Sequence, residues 1–173
     1  MKCCFYDATA AQVRGKGFEL SPDYSFEYWK PKGVTATPPQ TGGKAFRVWA
    51  LIHALRLFYN RDYGVMLIRN GGKVVHRSCV FPGWFRFPFM ARADLQVGDT
   101  WTDPDHRGKG LAAAALAQVL ASEPRPDRRF WYVVEEENVS SIRVAEKVGF
   151  RMVGTGGKRK RLGLGLLGYY GID

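Results

Sequence analysis

One segment, residues 99–112, constrains the fold more than any other part of the chain. The β-branched and aromatic stretch Thr100–Thr102 is followed by a short basic loop with two glycines, and then by an alanine-rich stretch over 111–121. This pattern predicts a strand, a loop and a helix in that order. The free backbone N–H groups and the dipole at the start of such a helix favour an anion in the loop. The segment therefore predicts an anion-binding corner, for which the remaining chain is a scaffold.

Composition limits the class of protein. The chain has 173 residues, of which 46% are hydrophobic and 14% aromatic, and this favours one folded domain over a disordered chain. The net charge of +10 favours acidic partners. A membrane span needs about 20 apolar residues, and the sequence has no such segment, so we expect no membrane partner. Three cysteines without metal-ligand spacing predict reduced thiols, no metal site and a cytoplasmic location.

Hydrophobic patterning predicts the other elements. The expected elements are short strands at 18–20 and 24–29, a helix over 44–59, a hairpin of strands 63–69 and 73–80 joined by Asn70-Gly71-Gly72, a strand over 93–102, a helix over 111–121, a strand over 130–134, a helix from Asn138 to Gly149, and strands at 150–155 and 162–170. Val48, Ile52 and Leu55 predict the core-facing side of the first helix. The aromatic stretch 84–90 alternates like a strand, and we expect it in the core, with a substrate cleft as the alternative.

Three interpretations of residues 99–112 compete. Gly108-x-Gly110-x-x-Ala113 fits a dinucleotide-binding fingerprint, but the glycines follow the strand too late and too little chain remains for a six-stranded parallel sheet. A nucleic-acid interface built on Arg107 and the basic residues 158–161 has no recognition motif beside it, so nucleic acid is a disfavoured partner. The third interpretation joins this segment to a second motif further along the chain.

Two separated motifs together resemble one known family. Arg107-x-x-Gly110-x-Ala112 resembles the (Gln/Arg)-x-x-Gly-x-(Gly/Ala) pyrophosphate loop of the GNAT superfamily of N-acetyltransferases. Residues 138–150 resemble the family's second motif, an asparagine followed by a helix that ends in Gly-Phe. Within it, Ser-Ile-Arg-Val-x-Glu-Lys-x-Gly-Phe is most similar to the branch that acetylates ribosomal-protein N-termini. The order of predicted elements from residue 44 onward agrees.

The resemblance implies an α/β fold with a mixed, mostly antiparallel central sheet flanked by helices, whose strands separate at the cofactor cleft. It implies one acyl-CoA N-acyltransferase domain over residues 1–173, within which residues 1–40 carry no motif. The implied activity is direct transfer of an acetyl group from acetyl-CoA to a primary amine in a ternary complex. The acceptor is an amine on a small molecule such as an amino sugar, or a protein N-terminus. A monomer and a homodimer both remain open.

The resemblance also assigns residues to the cofactor. The expected cofactor-binding residues are Thr100, Trp101, Thr102, Arg107, Gly108, Lys109, Gly110, Leu111, Ala112 and Asn138. The N–H groups of residues 108–112 would hold the pyrophosphate, and residues 100–102 would pair with the pantetheine arm and polarise the thioester carbonyl. Asn138 is equally suited to cap the helix that follows it.

Two carboxylates are candidates for taking the proton of the amine. A lysine-like amine has a pKa of about 10.4, so its attack needs a proton acceptor. Asp99 and Glu135 lie at the ends of two predicted central strands. By strand parity, Gln96 shares a face with Thr100, and Asp99 lies on the other face unless Gly98 forms a bulge.

The leaving thiolate needs a proton donor, because a thiol has a pKa of about 8.5. Many family members have a tyrosine seven residues after the motif's asparagine, where this chain has Ala145. Ser141 is the expected substitute. A covalent route through Cys79 has no histidine placed to activate the thiol. The alanine also leaves a second function open, a CoA-binding or nucleic-acid-binding module without catalysis.

Overall fold

A computed structural model of the chain describes residues 1–13, 17–32, 38, 44–161 and 164–173. These residues form an eight-stranded sheet in the order β2-β3-β4-β5-β6-β1-β7-β8. The strands are β1 (Lys2–Thr9), β2 (Tyr24–Trp29), β3 (Gly64–Asn70), β4 (Lys73–Pro82), β5 (Leu95–Thr102), β6 (Arg129–Glu135), β7 (Arg151–Arg161) and β8 (Leu164–Ile172). The helices are α1 (Ala10–Val13), α2 (Lys44–Ala54), α3 (Leu111–Ala121), α4 (Val139–Val148) and a short 3₁₀ helix, Pro104–His106.

The sheet is mixed, as predicted. Neighbouring strands are antiparallel except β5 and β6, which are parallel. One core contains α1, α3 and α4, and a second contains α2 and the aromatic stretch after β4. The prediction of a mostly antiparallel sheet flanked by helices is therefore confirmed.

The parallel pair opens the sheet. β5 and β6 pair at Leu95–Phe130 and Gln96–Trp131, and the described residues show no pairing beyond these positions. Both strands continue for several residues after the last pair. Their C-terminal halves therefore diverge, at the place where a cofactor cleft is predicted.

A β-bulge distorts β5 just after Gly98. Cys79 pairs with Gly98 whereas Arg77 pairs with Trp101, so a step of three residues on β5 faces a step of two on β4. Asp99 has a φ of 47°, a left-handed conformation that costs a non-glycine residue about 1–2 kcal/mol. Bulges change the face to which the following side chains point, and the site described below depends on this change.

The strand β1 occupies the middle of the sheet, in a region where no element was predicted. It pairs with β6 on one side and β7 on the other, antiparallel to both. Residues 3–6 are all buried, and the ring of Phe5 meets that of Phe89 edge-on at 5.1 Å. A strand covered on both faces appears in the sequence as a short apolar run without alternation, and such a run does not show where the strand lies in the sheet.

Helix α2 is shorter and more exposed than predicted. It ends at Ala54 rather than at residue 59. Ile52 is buried as expected, but Val48 and Leu55 are 52% and 59% exposed, so the predicted core-facing side is wrong at these two positions.

Helices α3 and α4 agree with prediction, and Gly149 ends α4 with a φ of 109°. In the described part of the chain, no helix is both long and apolar enough to cross a bilayer.

One predicted strand is wrong and one is too short. Residues 18–20 and the aromatic stretch 84–90 are not strands; Trp84 and Phe87 instead pack in the second core from turns. β7 continues through the glycines and basic residues at 156–161 that were expected between strands. A Cβ on Gly156 would lie 1.9 Å from a backbone oxygen of β8, so the glycine permits the close pairing. Residues 162 and 163, expected to begin the last strand, lie outside the described residues.

Candidate active site

A cleft of about 500 Å³ lies where β5 and β6 diverge, and we call it the cofactor cleft. Every residue predicted to bind the cofactor lines it except Lys109, which is exposed nearby. The other lining residues are His106, Ala113, Tyr132, Ser140, Ser141, Arg143, Val144 and Lys147. The folded chain thus brings the two sequence motifs, at 107–112 and 138–150, to one cleft.

Backbone donors face the cleft at the start of α3. Gly110 is the N-cap residue, with a φ of 79°, and no side chain caps the helix. The first turn contains no acidic residue. Because nothing in the helix itself accepts the first N–H groups, residues 111–113 present both donors and the positive end of the helix dipole to an anion.

The charges around the cofactor cleft are positive. Arg107, Arg143 and Lys147 line it, and among the described residues no aspartate or glutamate does. Arg107 Nε donates to the carbonyl oxygen of Thr102 at 3.3 Å, which holds the guanidinium beside the end of β5. The nearby carboxylate of Asp103 accepts from Lys73 Nζ at 2.8 Å, and this bond lowers the pKa of Asp103. The cleft therefore favours an anionic ligand.

Asn138 is a helix cap that also lines the cleft. Its Oδ1 accepts from the backbone N–H of Ser141 at 3.1 Å and from Ser140 Oγ at 2.9 Å. The capping role that was one of two expectations for this residue is therefore present. Its side-chain oxygen already accepts these two hydrogen bonds, so a contact with the cofactor falls to its amide NH₂ group.

Tyr132 on β6 is a cleft residue that the sequence analysis missed. Its hydroxyl faces the side chains of Ser141 and Thr100, which line the same cleft. Burial raises the pKa of Tyr132, so the phenol is protonated at neutral pH. An aromatic residue in a predicted buried strand indicates packing, and nothing in the pattern of residues 130–134 distinguishes a tyrosine with a functional hydroxyl.

The hydroxyl network extends into the sheet through a buried histidine. Thr100 Oγ1 lies 3.1 Å from Ser78 Oγ, which lies 3.0 Å from Nε2 of His76. Nδ1 of His76 lies 2.8 Å from Thr102 Oγ1. Burial lowers the pKa of His76 to about 4, so the imidazole is neutral at pH 7 and acts as one donor and one acceptor. We call this chain from Thr102 to Ser141 the hydroxyl network.

Ala145 does not face the cofactor cleft. It is fully buried in the core shared by α3 and α4, and it is absent from the described lining of the cleft. The hydroxyl groups that α4 and β6 place at the cleft are those of Ser140, Ser141 and Tyr132, and that of Ser140 donates to Asn138.

A second cavity, of about 330 Å³, contains the two predicted carboxylates, Asp99 and Glu135. We call it the aromatic cavity because rings form much of its wall. Gln96 also lines it, whereas Thr100 lines the cofactor cleft. The expectation that Gln96 and Thr100 share a face is therefore wrong, because the bulge after Gly98 intervenes.

The rings of the aromatic cavity pack against one another. Trp49 stacks on Phe81 with centroids 4.5 Å apart and meets Trp84 edge-on at 6.2 Å. Phe87 stacks on Tyr170 at 5.3 Å. The aromatic stretch after β4 thus fills both roles proposed for it, since it packs in the core and also lines a cavity.

Cys79 lies behind the carboxylate of Asp99. Its Sγ donates to Asp99 Oδ2 at 3.7 Å. Burial, followed by the negative charge of Asp99, raises the pKa of Cys79. The thiol is therefore protonated at neutral pH and is a poor nucleophile, which agrees with the choice of direct transfer over a covalent route.

The Acetyltransferase (GNAT) family model matches residues 24–150, which is more than half of the chain. The chain belongs to this family of acetyltransferases. β1, β7 and β8 lie outside the matched residues. No curated protein sequence matches the chain.

Solved structures share the fold at low sequence identity. A GCN5-related N-acetyltransferase from Sphaerobacter thermophilus is 17% identical with a TM-score of 0.60; the match covers 89% of this chain and 49% of that one. A tandem GNAT protein from the clavulanic acid biosynthesis pathway is 19% identical, with a TM-score of 0.59 and coverage of 87% and 50%. A ribosomal-protein-alanine N-acetyltransferase from Escherichia coli is 16% identical, with a TM-score of 0.51 and coverage of 74% and 77%. Two further structures also match: the chain covers 48% of the length of a Drosophila protein and 56% of a GCN5-related N-acetyltransferase from Kribbella flavida.

Proposed function

We propose that this protein transfers an acetyl group from acetyl-CoA, bound in the cofactor cleft, to an amine bound in the aromatic cavity. One observation carries the proposal. Thr100 lines the cofactor cleft, and the adjacent Asp99, which the bulge in β5 brings to the same side as Gln96, lines the aromatic cavity. A thioester beside Thr100 and an amine beside Asp99 would therefore be neighbours.

The residues of the cofactor cleft fit the charge and shape of a CoA ester. The N–H groups of residues 108–112 and the side chain of Arg107 suit the pyrophosphate. Each exposed helix-end contact contributes about 0.3–1 kcal/mol, so several must act together. The free edge of β5 at residues 100–102, which β6 leaves unpaired, suits the pantetheine arm, and a backbone N–H there would stabilise negative charge on the thioester oxygen.

The reaction forms one bond and breaks one. The amine nitrogen attacks the thioester carbonyl carbon, the C–N bond forms, and the C–S bond breaks with its electron pair on sulfur. The proton from nitrogen passes to Asp99 or Glu135, directly or through a water molecule. The thiolate takes a proton from Ser141, the neighbouring phenol of Tyr132 returns a proton to the serine, and water in the cleft returns one to the tyrosine.

The acceptor has two candidate classes. The pattern of residues 141–150 and the fold of one neighbour, itself named for a ribosomal-protein alanine, support a protein N-terminus. The enclosed rings of the aromatic cavity support a small-molecule amine. Both classes are amines, and both are therefore included in the test.

The test begins with thermal denaturation with and without acetyl-CoA. A ligand at a hundred times its Kd stabilises the folded state by about 2.7 kcal/mol. We expect stabilisation of the unaltered protein and none after Arg107→Glu with Gly110→Trp, which reverses a charge and fills the loop. Lys160→Glu reverses an exposed charge of β7 and is the matched control. The same shift in the double variant, or none in the unaltered protein, overturns the cofactor assignment.

Release of free thiol in the presence of an amine panel then tests catalysis. Activity with any primary amine supports the transferase. A protein that binds acetyl-CoA but releases no thiol with any amine overturns the activity and supports a non-catalytic CoA-binding module. Salt-dependent binding to a random oligonucleotide, without stabilisation by acetyl-CoA, supports the nucleic-acid alternative.

A further inference from the structure

We infer that the acceptor is a small amine cation with an aromatic or flat apolar body. The inference uses the proposed function for the reaction, but the binding of such a cation to the aromatic cavity stands separately. Three properties of the cavity, its carboxylates, an unpaired oxygen and its rings, point to the same class of ligand.

The first property is a pair of exposed carboxylates. In the described part of the chain, the carboxylate of Glu135 has no hydrogen-bond or ion-pair partner, and that of Asp99 accepts from the thiol of Cys79. Both residues are exposed at the cavity. Arg86 and Met1 also line the cavity, so it is not uniformly negative, but each of its two exposed carboxylates can accept hydrogen bonds from an added cation.

The second property is an unpaired acceptor at the same place. Gln96 lines the aromatic cavity, its residue is 5% exposed, and its Oε1 is buried without a hydrogen-bond partner among the described residues. An unsatisfied buried oxygen is costly, and a ligand that donates a hydrogen bond removes the cost. An ammonium group has up to three donors, enough for Gln96 together with Asp99 and Glu135.

The third property is the ring wall. Trp49, Phe81, Phe87 and Tyr170 line the cavity in stacked pairs. Aromatic faces attract cations and also stack on flat apolar groups. Arg86 extends this wall, since its guanidinium lies over the indole ring of Trp84 at 5.4 Å. The volume of about 330 Å³ lies near the lower end of the range for ligand pockets, so a small molecule fits better than a folded partner.

These properties disfavour two acceptors that the sequence left open. A nucleotide-linked or phosphorylated amino sugar carries negative charge toward Asp99 and Glu135. The hydroxyl groups of a sugar would also find few hydrogen-bond partners among the aromatic side chains. A peptide N-terminus has the required ammonium group but needs space for its following residues.

The experiment compares thiol release with acetyl-CoA and four amines: 2-phenylethylamine, propylamine, glucosamine 6-phosphate and a peptide that begins with alanine. We expect kcat/KM for 2-phenylethylamine to exceed that for each of the others at least tenfold. Equal rates across the panel, or preference for the sugar or the peptide, overturn the inference and leave the proposed function standing.

Binding is measured separately, by titration calorimetry with 2-phenylethylamine in the absence of acetyl-CoA. We expect Glu135→Gln to weaken binding at least fivefold, and Glu137→Gln, an exposed glutamate that does not line the cavity, to leave it unchanged. Trp49→Leu should abolish the preference for 2-phenylethylamine over propylamine, with thermal denaturation as the check on folding. Absence of binding to the unaltered protein overturns the inference even if another amine is acetylated.

Discussion

The cofactor cleft and the aromatic cavity share a boundary strand but differ in the way they are built. The cleft is lined mainly by two continuous segments, 100–113 and 138–147, with backbone N–H groups and cationic side chains. The cavity takes its lining from β1, α2, the end of β4, the aromatic stretch after it, β5, β6 and β8, and its charged groups include two carboxylates. One site therefore favours anions and the other favours cations, a few residues apart.

The boundary between the two sites is the bulge in β5. In a regular strand, alternate residues point to the same face, so Gln96 and Thr100 would share one face and Asp99 would lie on the other. The extra residue after Gly98 shifts this pattern, so that Gln96 and Asp99 line the aromatic cavity and Thr100 lines the cofactor cleft. Net charge does not describe both sites, since a chain of charge +10 has a positive cleft and also a cavity that contains two carboxylates. Local geometry, not composition, decides which ligand each site accepts.

The sharpest way to separate the two sites is to remove the carboxylates alone. Asp99→Asn with Glu135→Gln keeps the size of both side chains and removes the proton acceptors. General acid–base groups contribute about 10²–10⁴-fold, and we expect kcat/KM at neutral pH to fall about 10³-fold. Stabilisation by acetyl-CoA should stay unchanged, because neither residue lines the cofactor cleft. Steady-state thiol release and thermal denaturation measure the two effects.

A parallel loss of acetyl-CoA stabilisation in this double variant would contradict the separation of the sites. Undiminished turnover would show that neither carboxylate accepts the proton. Glu137→Gln provides the baseline for removing an exposed carboxylate from the same turn.

The next prediction concerns His76, behind the cofactor cleft, and the pH dependence of folding stability. The pKa of His76 is about 4 in the folded protein, against 6.5 for an unperturbed histidine. Between these values the unfolded chain binds more protons, so the folding stability rises with pH and falls on acidification. Across the whole pH range between the two pKa values, the folding free energy changes by about 3 kcal/mol. In His76→Gln this contribution is absent.

Urea unfolding at pH 7 and at pH 4.5 tests this assignment. His76→Gln should be less stable than the unaltered protein at pH 7, because it loses two hydrogen bonds. The difference should narrow, or change sign, at pH 4.5. A difference that is constant with pH would mean that the imidazole is not held neutral by the fold.

The sequence predicted the cofactor cleft far better than the aromatic cavity, and the reason is physical. Helix starts, capping residues and glycine loops are local features, so residues 107–112 and Asn138 carry their own signal. The cavity depends on β1, whose apolar run did not indicate a central position, and on a single bulge that brings Gln96 and Asp99 to the same side of β5. A local sequence pattern does not predict long-range strand pairing or the insertion of one residue in a strand.

The smallest expected effect concerns two residues of the hydroxyl network, one identified from the sequence and one from the structure. Ser141 is a sequence prediction and Tyr132 a structural one, and the two side chains are neighbours in the cofactor cleft. If they act in series, Tyr132→Phe and Ser141→Ala each lower kcat about tenfold, and the double variant is no slower than the slower single variant. KM for the amine should not change, because neither residue lines the aromatic cavity.

Tyr6→Phe is the matched control for this last prediction. Tyr6 pairs with Tyr132 across β1 and β6, and its hydroxyl donates to Glu146 at 3.2 Å rather than entering the cleft. Burial raises the pKa of Tyr132 above the usual value of about 10, so the phenol can donate a proton across the neutral range. Multiplied losses in the double variant would show independent roles, and unchanged turnover of Ser141→Ala at every pH would remove the serine from the proton route. Unchanged turnover of both single variants would mean that the thiolate takes its proton from water and that neither hydroxyl group takes part in the chemistry.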